Sequence, residues 1–287
     1  MTLDPRLNAF RTDLADARLK GQVEAARFVA GERRRVTAPL AVIRRAPQPD
    51  APIDSEALRG ETVRVFETTT EGWCWVQLET DGYVGFVAAD TVGPLDPEPT
   101  HRVTALRTFV YPAADMKLPP VATLSIGSRL ALGKAAETRG TPYFWLADGC
   151  GAVVARHVEA LDTPPQADFV TVAERFVETP YLWGGRSAFG IDCSGLVQLS
   201  LAMTGVSVPR DTYQQQGAIG EPVAGGLDGG LRRGDLIYWQ GHVGIVSDPA
   251  TLLHASGYQM CVVSEPLEDV LARYGRSGKV VAAVRRP

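Results

Sequence analysis

Two clusters of proline limit what this chain can fold into. GPLDPEPT (93–100) and DTPPQAD (162–168) interrupt it. Neither supports a helix or a central strand, because proline fixes φ, lacks an amide hydrogen and restricts the residue before it. Both therefore read as joints between packed blocks. A length of 287 residues suits that division, since it is more natural for two or three domains than for one.

The two blocks upstream of the second joint read as copies. In the first, Gly60 precedes Val63 and Val65, then come Trp75-Val76 and DGYVGFVAADTV (81–92). In the second, Gly127 precedes Leu130 and Leu132, then come Trp145-Leu146 and DGCGAVVARHV (148–158). The copies keep step to within one residue. Short β-rich runs, a turn, then a glycine-bearing strand that ends in a short helical turn describe a small barrel. This pattern resembles the bacterial SH3-like domain, a companion of cell-wall enzymes, over 37–95 and again over 101–162.

The first 36 residues match neither copy and are expected to form a separate helical segment. Asp4-Pro5 resembles an N-cap and first helical position, and Leu7, Phe10, Leu14 and Leu19 approximate a helical stripe. No long apolar stretch with a small-residue cleavage site opens the chain, so neither a signal peptide nor an anchor is expected, and a cytoplasmic location follows. A net charge of -4 argues against a general affinity for nucleic acid or anionic membranes, and Arg33-Arg34-Arg35 is expected to be a solvated face. The four cysteines, Cys74, Cys150, Cys193 and Cys261, form no CxxC pair. Reduced thiols are expected, three of them serving only as packing residues.

The third block, 168–287, changes character. DFVTVAERFVET (168–179) and CSGLVQLSLAMTG (193–205) have helical periodicity, with Asp168 as a cap and Gly205 as a stop. Short apolar runs follow: DLIYW, HVGIVSD, TLLHAS, MCVVSE and VVAAVRR. Helices first and an antiparallel sheet afterwards make an α+β layout.

Between the two helices lies TPYLWGGRSAFGIDCSGLVQ (179–198), which surrounds one thiol with turn chemistry. Asp192 is placed to cap the second helix, so Cys193 falls in its first turn. Unpaired N–H groups and the positive end of the helix dipole favour a thiolate there, with a pKa below the free value of about 8.5. The nearby glycines allow tight turns and close approach of a ligand. A nucleophile needs a base. Of the four histidines, His101 and His157 fall outside this block, while His242 and His254 open and close neighbouring strand candidates. On spacing alone each is as well explained as a structural histidine. Cys193, His242, His254 and Cys261 also offer zinc-type ligands, though in no familiar spacing.

YLWGG, DCSGLVQ, RRGDLIYW, GHVGIV and LLHAS occur here in the order found in the NlpC-type cysteine peptidases, and the third block resembles that papain-like family throughout. The resemblance implies a papain-like α+β catalytic domain, helices packed on an antiparallel sheet, behind two SH3-like barrels. It implies Cys193 as nucleophile, His242 as general base and acid, His254 as the residue that orients it, and Tyr181 against the site. It implies no metal and no cofactor.

With two SH3-like blocks in front, the chain resembles more narrowly the γ-D-glutamyl-L-diamino-acid endopeptidases, which act on released stem peptides carrying a free N-terminal L-alanine. That likeness implies substrate contacts from Asp192, Ser194, Arg186, Asp211 and Tyr83. Asp211 is placed to hold the substrate ammonium, Ser194 the D-glutamate carboxylate, and Tyr83 to reach the site from the first barrel. Three other readings stay open: an exported hydrolase of intact peptidoglycan, an acyltransferase on the same fold, and a silent wall-binding module. A diamino acid is expected in the substrate, without indication of which.

Overall fold

A computed structural model describes residues 3–287. They divide into two compact units, one running to Thr163 and the other from Pro164 onward.

In the first unit, strands Ile53–Leu58, Leu40–Arg44, Val84–Ala88, Trp73–Leu78, Thr62–Thr68, Glu32–Val36 and Val92–Gly93 lie side by side in that order. Alternation along them turns Val36, Ile43, Val63, Val76, Leu78 and Val87 into one core. Tyr83 belongs to this core at 1% exposure. The second repeat builds a five-stranded sheet over 107–154 and a three-stranded one, with a core of Val103, Val110, Leu124, Leu130, Leu146, Val153 and Val158. Gly60 and Gly127 share a left-handed φ, 85° and 86°. Each copy also ends in a single 3-10 turn, Ala89–Thr91 and Ala155–His157, before a short closing strand. The basic run 33–35 is not all solvated. Arg35, on the strand face opposite Val36, is covered by the proline-rich joint, where its guanidinium donates to the Leu95 carbonyl and meets Glu98.

The expected N-terminal helix does not form. Of the 1–36 segment, residues 1 and 2 lie outside the described residues. Asp4 caps only a turn, accepting from Arg6 N at 2.9 Å. Leu14–Asp16 then pairs in parallel with Arg27–Val29. Two of the four residues of the apparent helical stripe, Leu7 and Leu14, pack instead on the barrel. Leu7 packs on its core, while Ala9 and Leu14 join Phe66, Trp75 and Phe86 in a second cluster. Arg11 lies over the Trp75 ring, 4.4 Å from its centroid. Docking to an existing aromatic surface outweighs the small helical preference of so short a stretch.

The second unit carries α1 (Phe169–Glu174), α2 (Cys193–Met203), α3 (Thr212–Ala218) and α4 (Leu267–Arg276). Its main strands are β1 (Leu236–Trp239), β2 (His242–Asp248), β3 (Thr251–Ser256), β4 (Cys261–Pro266) and β5 (Val281–Arg286). They form an antiparallel sheet in the order β5-β1-β2-β3-β4, with Glu221–Pro222 added beyond β5. Helix α2 lies against β2 and β3. Asp168 caps α1 by accepting from Val170 N at 2.9 Å, and Gly205 closes α2 with φ 83°.

Helix α4 departs from the helices-then-sheet expectation, because it sits between the last two strands. Its signals are local. Glu268 and Asp269 stand in its first turn and Arg273 in its last, matching the helix dipole. Leu267, Val270, Leu271 and Tyr274 make an apolar stripe that packs on Ile237, Trp239 and Val284.

Candidate active site

The site grows from the loop before α2. Asp192 caps that helix: Oδ1 accepts from Gly195 N at 2.7 Å, and Oδ2 from Gly184 N at 2.9 Å. Two of the loop's glycines are sterically required. A Cβ on Gly195 would lie 2.4 Å from the Gly185 carbonyl oxygen, and one on Gly185 would lie 2.5 Å from that of Gly190. The chain is thus pressed tightly around the first turn of α2, where Cys193 sits 6% exposed.

The Cys193 sulfur accepts from backbone N–H groups of Val243 and Ser194, which places it beside the start of β2. His242 is the first residue of that strand, and β3 runs antiparallel to it. The pairing brings His242 Nε2 to 2.7 Å from His254 Nδ1, both side chains buried. The two rings meet edge to face, 4.9 Å apart. Tyr274 and Trp239 flank the His242 ring, at 5.2 and 5.7 Å between centroids.

Burial governs the charges. It pushes the Cys193 thiol up to about 12, reinforced by the neighbouring Asp192 carboxylate. It also holds His242 well below its usual 6.5, helped by His254 and Lys279. The expectation of a lowered thiol pKa is therefore corrected for the resting site. The helix-end N–H groups act in the expected direction, but they do not offset desolvation. Both shifts favour the neutral forms of the thiol and the imidazole. Tyr181, half-buried, has its phenol pushed up by burial and then by the nearness of Cys193 and Asp192.

Other residues singled out from the sequence fall differently. Asp192 has both oxygens engaged by the protein, because Arg210 also donates to them, at 2.9 and 2.7 Å. Ser194 Oγ accepts from Arg210 at 2.8 Å and lies 3.3 Å from Asp192 Oδ1. Arg186 is buried in the hairpin that pairs Arg186–Ser187 with Gly190–Ile191. Asp211 is half-buried and caps α3 in a reciprocal box with Gln214. Tyr83 lies enclosed in the core of its barrel. Cys150 is exposed and Cys261 partly so, which leaves Cys74 as the one packing thiol besides Cys193. The zinc-type alternative also loses its donors, since both ring nitrogens of His254 have protein partners.

Sequence reasoning missed three groups. Arg210, 1% exposed, ties Asp192, Ser194 and the Gly185 carbonyl together. Glu265 accepts from His254 Nε2 at 2.8 Å and from Arg273 at 2.8 and 2.5 Å. Tyr274 covers the imidazole. The only sequence signal for Glu265 was its place two residues beyond Val263, the residue paired with His254, which makes it a diagonal neighbour across the strands.

Residues 178–275 match the NlpC/P60 family, and residues 43–92 match the bacterial dipeptidyl-peptidase SH3 domain. The chain carries an NlpC/P60 domain. In its NlpC/P60 unit the Cys193 loop and the paired histidines fall inside the matched range. Relatives include the dipeptidyl-peptidase 6 of Lysinibacillus sphaericus, 36% identical over 30% of this chain and 31% of that protein. The γ-D-glutamyl-L-lysine dipeptidyl-peptidase of Bacillus subtilis is 27% identical over 72% of this chain and 73% of its own length. An NlpC/P60 family protein from Bacillus cereus shares the fold, with a TM-score of 0.72 at 21% identity over 89% of this chain and 99% of its own. The chain thus spans about a third of the first relative and nearly three quarters of the second.

Proposed function

We propose that this protein is a cysteine peptidase of cell-wall stem peptides, cleaving the bond between the γ-carboxyl of D-glutamate and a diamino acid. One observation carries the reading: a buried thiol at the start of α2 faces the strand whose first residue, His242, is paired with His254. Cys193 attacks the γ-carbonyl carbon while His242 takes the thiol proton. The C–N bond then breaks, and the leaving amine receives that proton from His242. Water, deprotonated by the same histidine, hydrolyses the thioester and frees Cys193. The Cys193 N–H, at a helix N-terminus, is assigned to the developing oxyanion.

The narrower substrate, L-Ala-γ-D-Glu-diamino acid with a free N-terminus, is supported by the relatives named for γ-D-glutamyl-L-lysine. We assign Asp211 to the substrate ammonium, Ser194 to the D-glutamate carboxylate, and Tyr181 and Arg186 to the walls of the site. Peptides of this kind are fragments of the wall, and a role in recycling them within the cell follows. The units we assign are SH3-like domains at 37–95 and 101–162 and a peptidase domain at 168–287. The test is kcat/KM for the tripeptide with a free and an acetylated N-terminus, repeated with Asp211→Ala. A charge-assisted hydrogen bond at this half-buried position contributes about 1.5–3 kcal/mol, so acetylation or Asp211→Ala should lower kcat/KM by roughly one to two orders of magnitude. Comparable rates for the two peptides would instead favour an exported hydrolase of intact peptidoglycan.

A further inference from the structure

Beyond His254 the polar chain continues. His254 Nε2 lies 2.8 Å from Glu265 Oε1, and Arg273 holds the same carboxylate through both its terminal nitrogens. Arg273 is itself stacked on Tyr258, 4.7 Å from the ring centroid. These contacts fix the direction of every proton in the chain. An ionised carboxylate only accepts, and a neutral imidazole carries one donor and one acceptor nitrogen.

We propose that Glu265 is a positioning residue that sets the proton pattern of the histidine pair and so aims the base at Cys193. The inference rests on the peptidase reading, in which His242 is that base. Because Glu265 accepts, His254 carries its proton on Nε2 and its Nδ1 is bare. Bare Nδ1 accepts from His242 Nε2–H at 2.7 Å. The lone pair of His242 is then left on Nδ1, the only ring nitrogen free to take a proton from the thiol. Reversing the pattern at Glu265 would put a proton on His242 Nδ1 and leave no base. Arg273 keeps the carboxylate ionised, holding Glu265 at about 2, first through its own hydrogen bond and also through that of His254.

The experiment uses the full chain labelled with 15N-histidine. Two-bond 1H–15N spectra near neutral pH show which ring nitrogen carries each proton, and kcat and KM are measured on the same samples. The expected parent pattern is protonated Nε2 and bare Nδ1 on both His242 and His254. In Glu265→Leu the Nδ1-protonated form should appear on both rings. In that variant kcat should fall on the order of 10- to 100-fold, the scale of losing an outer-shell partner of a functional histidine, with KM within about twofold. Glu265→Gln, whose amide oxygen still accepts, should keep the parent pattern and most of kcat, and it serves if the leucine variant does not fold. A parent His254 protonated on Nδ1 would overturn the inference. So would a leucine variant with the parent pattern, or a folded glutamine variant that loses it. An inactive parent with the expected pattern would count against the peptidase reading alone.

Discussion

Arg210 and Asp192 meet fork to fork, through two hydrogen bonds of 2.9 and 2.7 Å, with the guanidinium 1% exposed. Asp192 also caps the helix of Cys193, so this one pair sets the position of the thiol. Removing one side of a buried pair leaves an uncompensated charge, at a cost of about 3–5 kcal/mol. Arg210→Met should lower the urea midpoint of the second unit accordingly. The double variant Arg210→Met, Asp192→Asn should recover part of the loss. A midpoint unchanged by Arg210→Met would show that the pair holds nothing in place.

Cys193 rests protonated, and its reactivity therefore depends on the histidine beside it. Iodoacetamide should modify Cys193 at neutral pH in the parent, and His242→Ala should slow that reaction on the order of 100-fold, the usual worth of a general base. Exposed Cys150 should react equally in both proteins and serves as the internal reference. Equal slowing of both thiols, measured by mass spectrometry of the labelled peptides, would deny the coupling.

Replacement of His254 separates orientation from binding. On the proposed reading His254 acts through the base, so His254→Ala should lower kcat and leave KM nearly unchanged. His254→Asn keeps a hydrogen-bonding side chain and should be milder. A fully active alanine variant would reduce His254 to a strand residue.

The pH–rate profile carries the sign of the His242 shift. A base held well below 6.5 stays unprotonated as acid is added, so the acid limb of kcat/KM should lie well under pH 6.5. Desolvation is the first cause of that shift, and Tyr274 supplies part of the cover. Tyr274→Ala should move the limb upward, towards 6.5. A limb that stays put would show that other residues exclude the water.

Stability should follow acid in two stages. Below 6.5 an unfolded His242 takes up a proton that the folded site refuses, so stability present above that pH is lost as pH falls. Glu265 adds a second loss from its ordinary 4.5 down through about 2, as its partnered carboxylate is protonated. Denaturant midpoints across this range should flatten in the upper stage for His242→Gln and in the lower stage for Glu265→Gln.

How much of this was legible depends on whether a residue acts through its chain neighbours. Cys193, His242 and His254 stand in motifs whose order survives in the sequence, and Asp168, Asp192 and Gly205 mark helix ends by local chemistry alone. Glu265 and Arg210 gain their roles from partners brought close only by strand pairing and loop closure, so nothing beside them in sequence announces them. The N-terminal segment misled for the same reason. Leu7 and Leu14 are spaced as on a helix, yet each is claimed by a barrel surface that a local window does not contain. Helix α4, which the helices-then-sheet expectation left out, carries its signals locally in PLEDVLARYGR, whose charges and apolar stripe follow ordinary rules.

Consecutive residues near the end of α4 serve opposite ends of the polar chain, Arg273 the Glu265 carboxylate and Tyr274 the His242 ring. Each residue of an α-helix advances the side chains by about 100°, so the phase of α4 is shared by both contacts. Inserting a single residue early in the helix would swing the two away together, while adding close to a whole turn would return them to the same azimuth. The stretch from β4 to Arg273 is therefore constrained in phase, whereas the turn after the helix, 277–280, can change length without moving either contact.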